Sequence, residues 1–341
     1  MLRLDAAVRQ YRRMQRLSAL AVASARGAWR LLDPHGLDAT APRLLVRLLP
    51  AVAAAQLSAA TSATTYVSAA LAEQNIDTQP VGRVQPDALA GVASDGRPLS
   101  TLLIVPLAAV KTLSARGVAV DRAMASGLAQ LERIVVTQVI DAGRVAEGVA
   151  VAASPGAGYV RMLVPPSCSR CVVLAGRYYE WNAGFARHPV CDCIHVPATS
   201  ATSRDLLTSP KAYFDSLSET EQNRIFTKAG AQAIRDGANI AQVVNARRGM
   251  RTAQVFGRDA FITLEGTTRF GQAGRRLIAE GARVQRELAE RVTRISRLGP
   301  VQRQVRRQRV QIPRLMPEQI YREASSRDDA IRLLRRFGYI T

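Results

Sequence analysis

Between Cys168 and His195 lie all four cysteines of the chain and two of its three histidines, in the order Cys168, Cys171, His188, Cys191, Cys193, His195. A Cys-x2-Cys pair followed about twenty residues later by His-x2-Cys is the spacing with which two tight turns offer two ligands each to one tetrahedral ion. Thiolate and imidazole donors select zinc; magnesium and calcium take carboxylate and carbonyl oxygens. Two disulfides are the competing use of the cysteines. The Arg-rich stretch from Met1 to Arg16 does not read as a secretory signal, which favours metal. Six candidates compete for four places. Cys168, Cys171 and His188 with either Cys191 or Cys193 form the preferred set. Cys191, Cys193 and His195 alternate, so on an extended strand they share a face, and His195 reads equally as a ligand or as a structural histidine beside the metal. Zinc would take the place of a hydrophobic core in so small a module.

Elsewhere the pattern is helical. Val8, Tyr11, Met14, Leu17 and Leu20, then Ala25, Trp29 and Leu32, recur every three to four residues until Asp33-Pro34. A second helix is expected from about Pro42 to Leu71, and further helices over 99–113 and 118–149. The Pro- and Gly-rich connection between Leu71 and Leu99 is long for a compact domain and predicts an extended or partner-dependent segment. Ser154-Pro155-Gly156-Ala157-Gly158 reads as a boundary. Strands are expected at 159–164 and 177–181, and capping boxes at Ser218/Glu221 and Ser326/Asp329. The predicted fold is mainly α with a small α+β zinc-stapled module. Its parts are a helical docking domain (1–153), the Cys/His module (154–200), a helical segment (201–257) and a basic helical C-terminal region (258–341).

Charge points to partners. The formal net charge is +20, and from Asn245 onward 22 arginines face nine acidic residues. A polyanion or an acidic protein surface is the economical counterpart. In the predicted helix Gln272–Leu298, Glu287 and Glu290 sit four residues from arginines, which suits a solvated face laced with ion pairs as well as a phosphate-binding one. Arg303, Arg306, Arg307, Arg309 and Arg314 have no acidic residue among them. The first four are the candidates for weak, non-specific DNA contact. The longest apolar run, Leu102 to Val110, is about half the roughly 20 residues a membrane span needs, so no membrane helix is expected and the chain reads as soluble.

Enzyme classes find little to build on. A zinc deaminase needs His-x-Glu ahead of Pro-Cys-x-x-Cys, whereas the upstream histidine, His35, precedes Gly36 and Leu37. Gly156-Ala157-Gly158 lacks the lysine and following helix of a phosphate loop. A zinc-stapled nuclease or toxin-like DNA-processing module is the alternative, with His195 or Asp192 activating water.

Three stretches carry a resemblance: SCSRCVVLAGRYYEWNAGFARHPVCDCIHVP at 167–197, VVNARRGM at 243–250 and MPEQIYREASSRDDAIRLLRRFGYI at 316–340. In these the chain resembles the Mu F-like minor capsid, or head morphogenesis, proteins of tailed bacteriophages that infect actinobacteria. The resemblance covers the last half of the chain. It implies a structural, non-enzymatic virion protein, assembled in the bacterial cytoplasm and lying inside the head. Its expected partners are the portal protein, the inner capsid surface and DNA. Zinc binding is inferred from ligand types and spacing, and is not implied by the family.

Overall fold

The structure is a computed structural model and describes residues 4–183, 193–255, 258–265 and 314–340. Those residues are mainly helical, with two small antiparallel sheets. They divide into two compact units. One takes in the chain up to Ser167 together with Leu174–Thr208; the other takes in Cys168–Val173 and the chain from Ser209 onward.

The first unit is built on three long helices, α1 (Asp5–Trp29), α2 (Leu37–Ala72) and α5 (Val120–Ala152), with the short α3 (Leu99–Leu103) and α4 (Val105–Ala115) beside them. Met14, Ala21, Ala25 and Trp29 of α1 meet Leu44, Leu48 and Val52 of α2 and Leu131, Val135 and Val139 of α5 in one apolar core. Small residues let the helices approach closely. A Cβ on Gly127 would lie 2.5 Å from Val110 Cγ2 and 2.8 Å from Trp29 Cη2, so only glycine fits beneath the indole. The second helix begins at Leu37, earlier than the expected Pro42, and runs through both Pro42 and Pro50. Contrary to the reading from apolar runs, α2 is long and apolar enough to cross a membrane by length and composition. Arg47, Gln56 and the serines and threonines between Ser58 and Thr65 break the apolar run along this helix, so run length alone does not register it. Leu44, Leu48 and Val52 are spent on the bundle core.

The connection between α2 and α3 is pinned to the helices. Gln56 accepts the Gly91 N–H and donates to the Val92 carbonyl, both at 2.9 Å, while Gln138 Oε1 accepts the Ser94 N–H at 2.8 Å. Val84 and Leu89 pack on Ala60, Ala63 and Ala146. Proline and glycine content signalled a loop; it carried no sign of these side-chain clamps.

After α5 the turn at Ser154–Ala157 leads into a sheet of order β2-β1-β3, with β1 Gly158–Met162, β2 Tyr178–Tyr179 and β3 Ile194–Ala198. The β1 register pairs Tyr159 with Pro197, Val160 with Val196 and Arg161 with His195. Val160, Met162, Ile194 and Val196 share a core with Ala7 of α1, Tyr66, Val67 and Leu71 of α2, and Val151 of α5. Apolar packing therefore crosses the boundary expected at 153, and the strands do have a hydrophobic core.

Helix α6 (Ser169–Leu174) follows Cys168, and α7 (Ser203–Leu206) follows β3. The second unit then carries α8 (Pro210–Asp215), α9 (Glu219–Phe226), α10 (Lys228–Arg235), α11 (Ile240–Ala246), α12 (Pro317–Glu323) and α13 (Arg327–Arg336). The Ser218/Glu221 capping box forms in full. At α13, Ser326 accepts the Asp329 N–H, but Asp329 reaches back to Ser325. Phe214 and Phe226 meet edge to face at 5.3 Å. The region expected to be helical across 257/258 holds instead a β4-β5-β6 sheet: β4 Met250–Val255, β5 Arg258–Thr263 and β6 Arg314–Leu315. Polar residues on β4 and at the start of β5 conceal its alternation, which places Ala260 and Ile262 inside. The predicted helix Gln272–Leu298 lies outside the described residues.

Candidate functional site

Cys168 and Cys171 belong to the second unit, where α6 begins directly after Cys168. The Cys171 N–H points at Cys168 Sγ at 3.4 Å, and the Val172 N–H bonds the Cys168 carbonyl at 3.1 Å. A backbone donor on sulfur stabilises the thiolate, which is the form that binds metal. His188 and Cys191 lie outside the described residues, as do Arg303, Arg306, Arg307 and Arg309. Among the described residues no group of three His, Cys, Asp or Glu side chains is arranged to hold a metal ion.

Cys193 and His195 belong to the first unit, on and just before β3, and both are buried. Arg161 Nη1 lies 3.5 Å from Cys193 Sγ, and Arg144 Nη2 donates to the Cys193 carbonyl. A guanidinium on the sulfur favours the thiolate by charge as well as by hydrogen bonding. The His195 ring tilts against Tyr159 at 4.5 Å, and Tyr66 donates its hydroxyl proton to the His195 carbonyl. Glu147 Oε2 stands 3.5 Å from His195 Nδ1, while Glu147 Oε1 accepts from Gln10 Nε2 at 3.0 Å.

Burial holds the His195 pKa below its ordinary value; Glu147 pulls the other way, and Arg144 and Arg161 add to the depression. The imidazole is therefore neutral near pH 7, with a carboxylate at Nδ1. That pairing orients histidines bound to metals and buried structural histidines alike. Burial also lifts the Tyr159 hydroxyl to about 12, so it stays protonated as a donor to the Ala183 carbonyl. Glu147, Arg144 and Arg161 escaped sequence reading because charged side chains are expected at the surface. The available hint was position: Arg144 and Glu147 fall within the apolar stripe of α5.

In the second unit the segments 243–250 and 316–340 come together. Arg247 pairs with Glu318 at 3.3 Å, and Thr227, at the unusual φ of +67°, donates to the same carboxylate at 3.2 Å. Arg314, grouped by sequence with the polyanion-binding arginines, is instead 1% exposed. Its guanidinium stacks 4.0 Å from the Tyr339 ring centroid and donates to Gln242 Oε1 and to the Gln242 carbonyl. It is a core residue.

Asp236 closes a second contact between these helices, accepting from Tyr321, Gln232 and Arg327 with no exposed side-chain surface. Burial raises its pKa, and the hydrogen bonds outweigh burial to hold it below the ordinary carboxylate value. A depressed carboxylate contributes stability that is present above the unfolded pKa of about 3.9 and lost as pH falls through the folded value. Asp236→Asn should cost about 2 kcal/mol at pH 7, the usual worth of a hydrogen bond to a buried charge. The deficit should narrow below about pH 3.9, which unfolding titrations of both proteins across that range would check.

Comparison with known proteins returns no matching family model, no matching curated protein and no matching solved structure.

Proposed function

We propose that the chain is a structural minor capsid protein of the Mu F-like, head-morphogenesis kind. In this reading it docks inside a tailed-phage head near the portal and contacts packaged DNA through Arg303, Arg306, Arg307 and Arg309. The Cys/His cluster holds one structural zinc.

The observation that carries the reading is the joining of two of the resembling segments. Residues 243–250 and 316–340 fall in one folded unit, tied by Arg247 to Glu318, and the Asn239 N–H just ahead of the first bonds the Tyr339 carbonyl of the second at 2.7 Å. Motifs that fold against each other are better support for a family than isolated strings. Zinc is supported by the Cys168 turn and by Arg161 on Cys193. The burial of His195 at 4% exposure supports a structural role over the nuclease alternative, because a ring so enclosed does not meet a phosphodiester. Exposed Val145 and Val149, one turn apart on α5, suit packing against another assembly component.

Fractionated particles from a phage encoding this chain provide the test. The protein should sediment with both procapsids and DNA-filled heads, and Val145→Asp with Val149→Asp should release it into the soluble fraction while it stays folded. Heads that never contain the wild-type chain would overturn the proposal.

A further inference from the structure

The outer face of α1 differs in charge from that of α5. Between Asp5 and Asp33 the sequence holds six arginines and no acidic residue. An arginine-rich composition puts arginines on every surface, but it does not by itself remove the acids. On α5, Arg122, Arg133 and Arg144 are interspersed with Asp121, Glu132, Asp141 and Glu147. On α1, Arg9 and Arg26 reach carboxylates on other helices, Glu73 and Glu132. Arg12, Arg13 and Arg16 are exposed, and among the described residues none makes an ion pair. Arg12 and Arg16 are four residues apart, as are Arg9 and Arg13, so like charges face each other along the helix. Such pairs destabilise a helix unless an external anion meets them.

A second group adjoins the other end of the same helix. The Arg47 guanidinium of α2 lies against α1, its Nε and Nη2 each 3.8 Å from where a Cβ on Gly27 would stand. Arg43 is one turn from Arg47, and exposed Arg30 follows the end of α1. None of these three makes an ion pair among the described residues either. At 1.5 Å per residue, Arg12 and Arg30 stand roughly 27 Å apart along the axis. That span is a little under one turn of B-DNA, at about 34 Å.

We infer that this face of the first unit is a phosphate-backbone contact surface for double-stranded DNA, formed by Arg12, Arg13 and Arg16 with Arg30, Arg43 and Arg47. The inference deepens the proposed DNA contact by adding a rigid, helical surface to the arginines at 303–309. Charge complementarity favours a polyanion, and the burial of the apolar side of α1 disfavours a lipid surface. Met14, Ala21, Ala25 and Trp29 are committed to the bundle core, which leaves Leu20 exposed among the arginines, too little for an apolar face to insert.

Salt titration of the full chain on a short random-sequence duplex tests it. One variant carries Arg12→Gln, Arg13→Gln and Arg16→Gln; a second carries glutamine at Arg303, Arg306, Arg307 and Arg309. The α1 variant should lower the slope of log affinity against log salt by up to about 3 units, at roughly 0.9 per phosphate contact. Lysine at the same three α1 positions should restore most of it. Circular dichroism and thermal melting establish that each variant is folded. An unchanged slope in a folded α1 variant overturns the inference, and if the 303–309 variant alone shows a loss, the proposed DNA contact survives without it. Loss of binding to phosphatidylserine vesicles with no loss on the duplex overturns it in favour of a membrane surface.

Discussion

Protein purified without added metal is expected to contain about one zinc per chain, and removing that zinc with a chelator should lower thermal stability more than any single substitution. Ligation of zinc by Cys/His sets in small domains is worth on the order of 10 kcal/mol. Here β1 and β3 also rest in an apolar core with α1, α2 and α5, so that full amount should not appear as unfolding. A loss of on the order of 5 kcal/mol, or roughly 10–20 °C, is the expected remainder, at about 2–4 °C per kcal/mol for a unit of this size. Helicity should persist, since the three long helices have a core of their own. Cysteine alkylation supplies the chemical readout: protected thiols in the loaded protein, reactive ones after chelation, and partial metal loss in Cys168→Ser or Cys171→Ser. Metal-free protein with the same melting temperature and reactive cysteines from the start would falsify the zinc assignment.

Glu147→Ala should be the most damaging of the substitutions that spare the cysteines. The carboxylate is 2% exposed and holds Gln10 on one oxygen and the His195 ring near the other. Truncation leaves a buried amide and imidazole without it, and adds net positive charge to a cluster that already contains Arg144 and Arg161. Breaking a buried charged arrangement from one side costs about 3–5 kcal/mol, or roughly 6–20 °C in melting temperature. Glu147→Gln keeps an acceptor for Gln10 and should lose about half as much. Glu132, whose pairing with Arg26 is largely solvated, provides the contrast, because its alanine variant should cost at most about 1 kcal/mol. Equal losses at 132 and 147 would show that the inner cluster contributes no more than a surface pair.

Helical periodicity exposed the three long helices, since Met14, Leu44, Leu48, Leu131 and Val135 recur at the spacing that one buried face requires. Ser218 with Glu221 named a helix start because the capping box is local chemistry, satisfied within four residues. Contacts decided by distant partners were less legible. Nothing local to Gln56 or Gln138 marks the connecting loop that each of them holds. Arg314 counted as one more basic residue until Tyr339 and Gln242 enclosed it. The β4-β5 hairpin was obscured because Arg251, Arg258 and Asp259 dilute its alternation, and β6 contributes only two residues. Of the candidate metal ligands, the structure describes the surroundings of Cys168, Cys171, Cys193 and His195, and at each it adds a partner that spacing alone could not supply.

The Tyr339 ring beneath Arg314 also sets an order of events during synthesis. A ribosome delivers the first unit's last residues, near Thr208, while more than a hundred codons remain. The helical bundle can therefore close while translation continues, as N-terminal domains generally do. The second unit has no such option. Cys168–Val173, translated early, belongs with residues that follow Ser209, and Tyr339, which covers Arg314 and whose carbonyl accepts the Asn239 N–H, emerges 100 residues after Asn239. Until it does, a nascent chain carries a finished bundle and an open second core, and that interval is when a chaperone or an assembling shell would meet it.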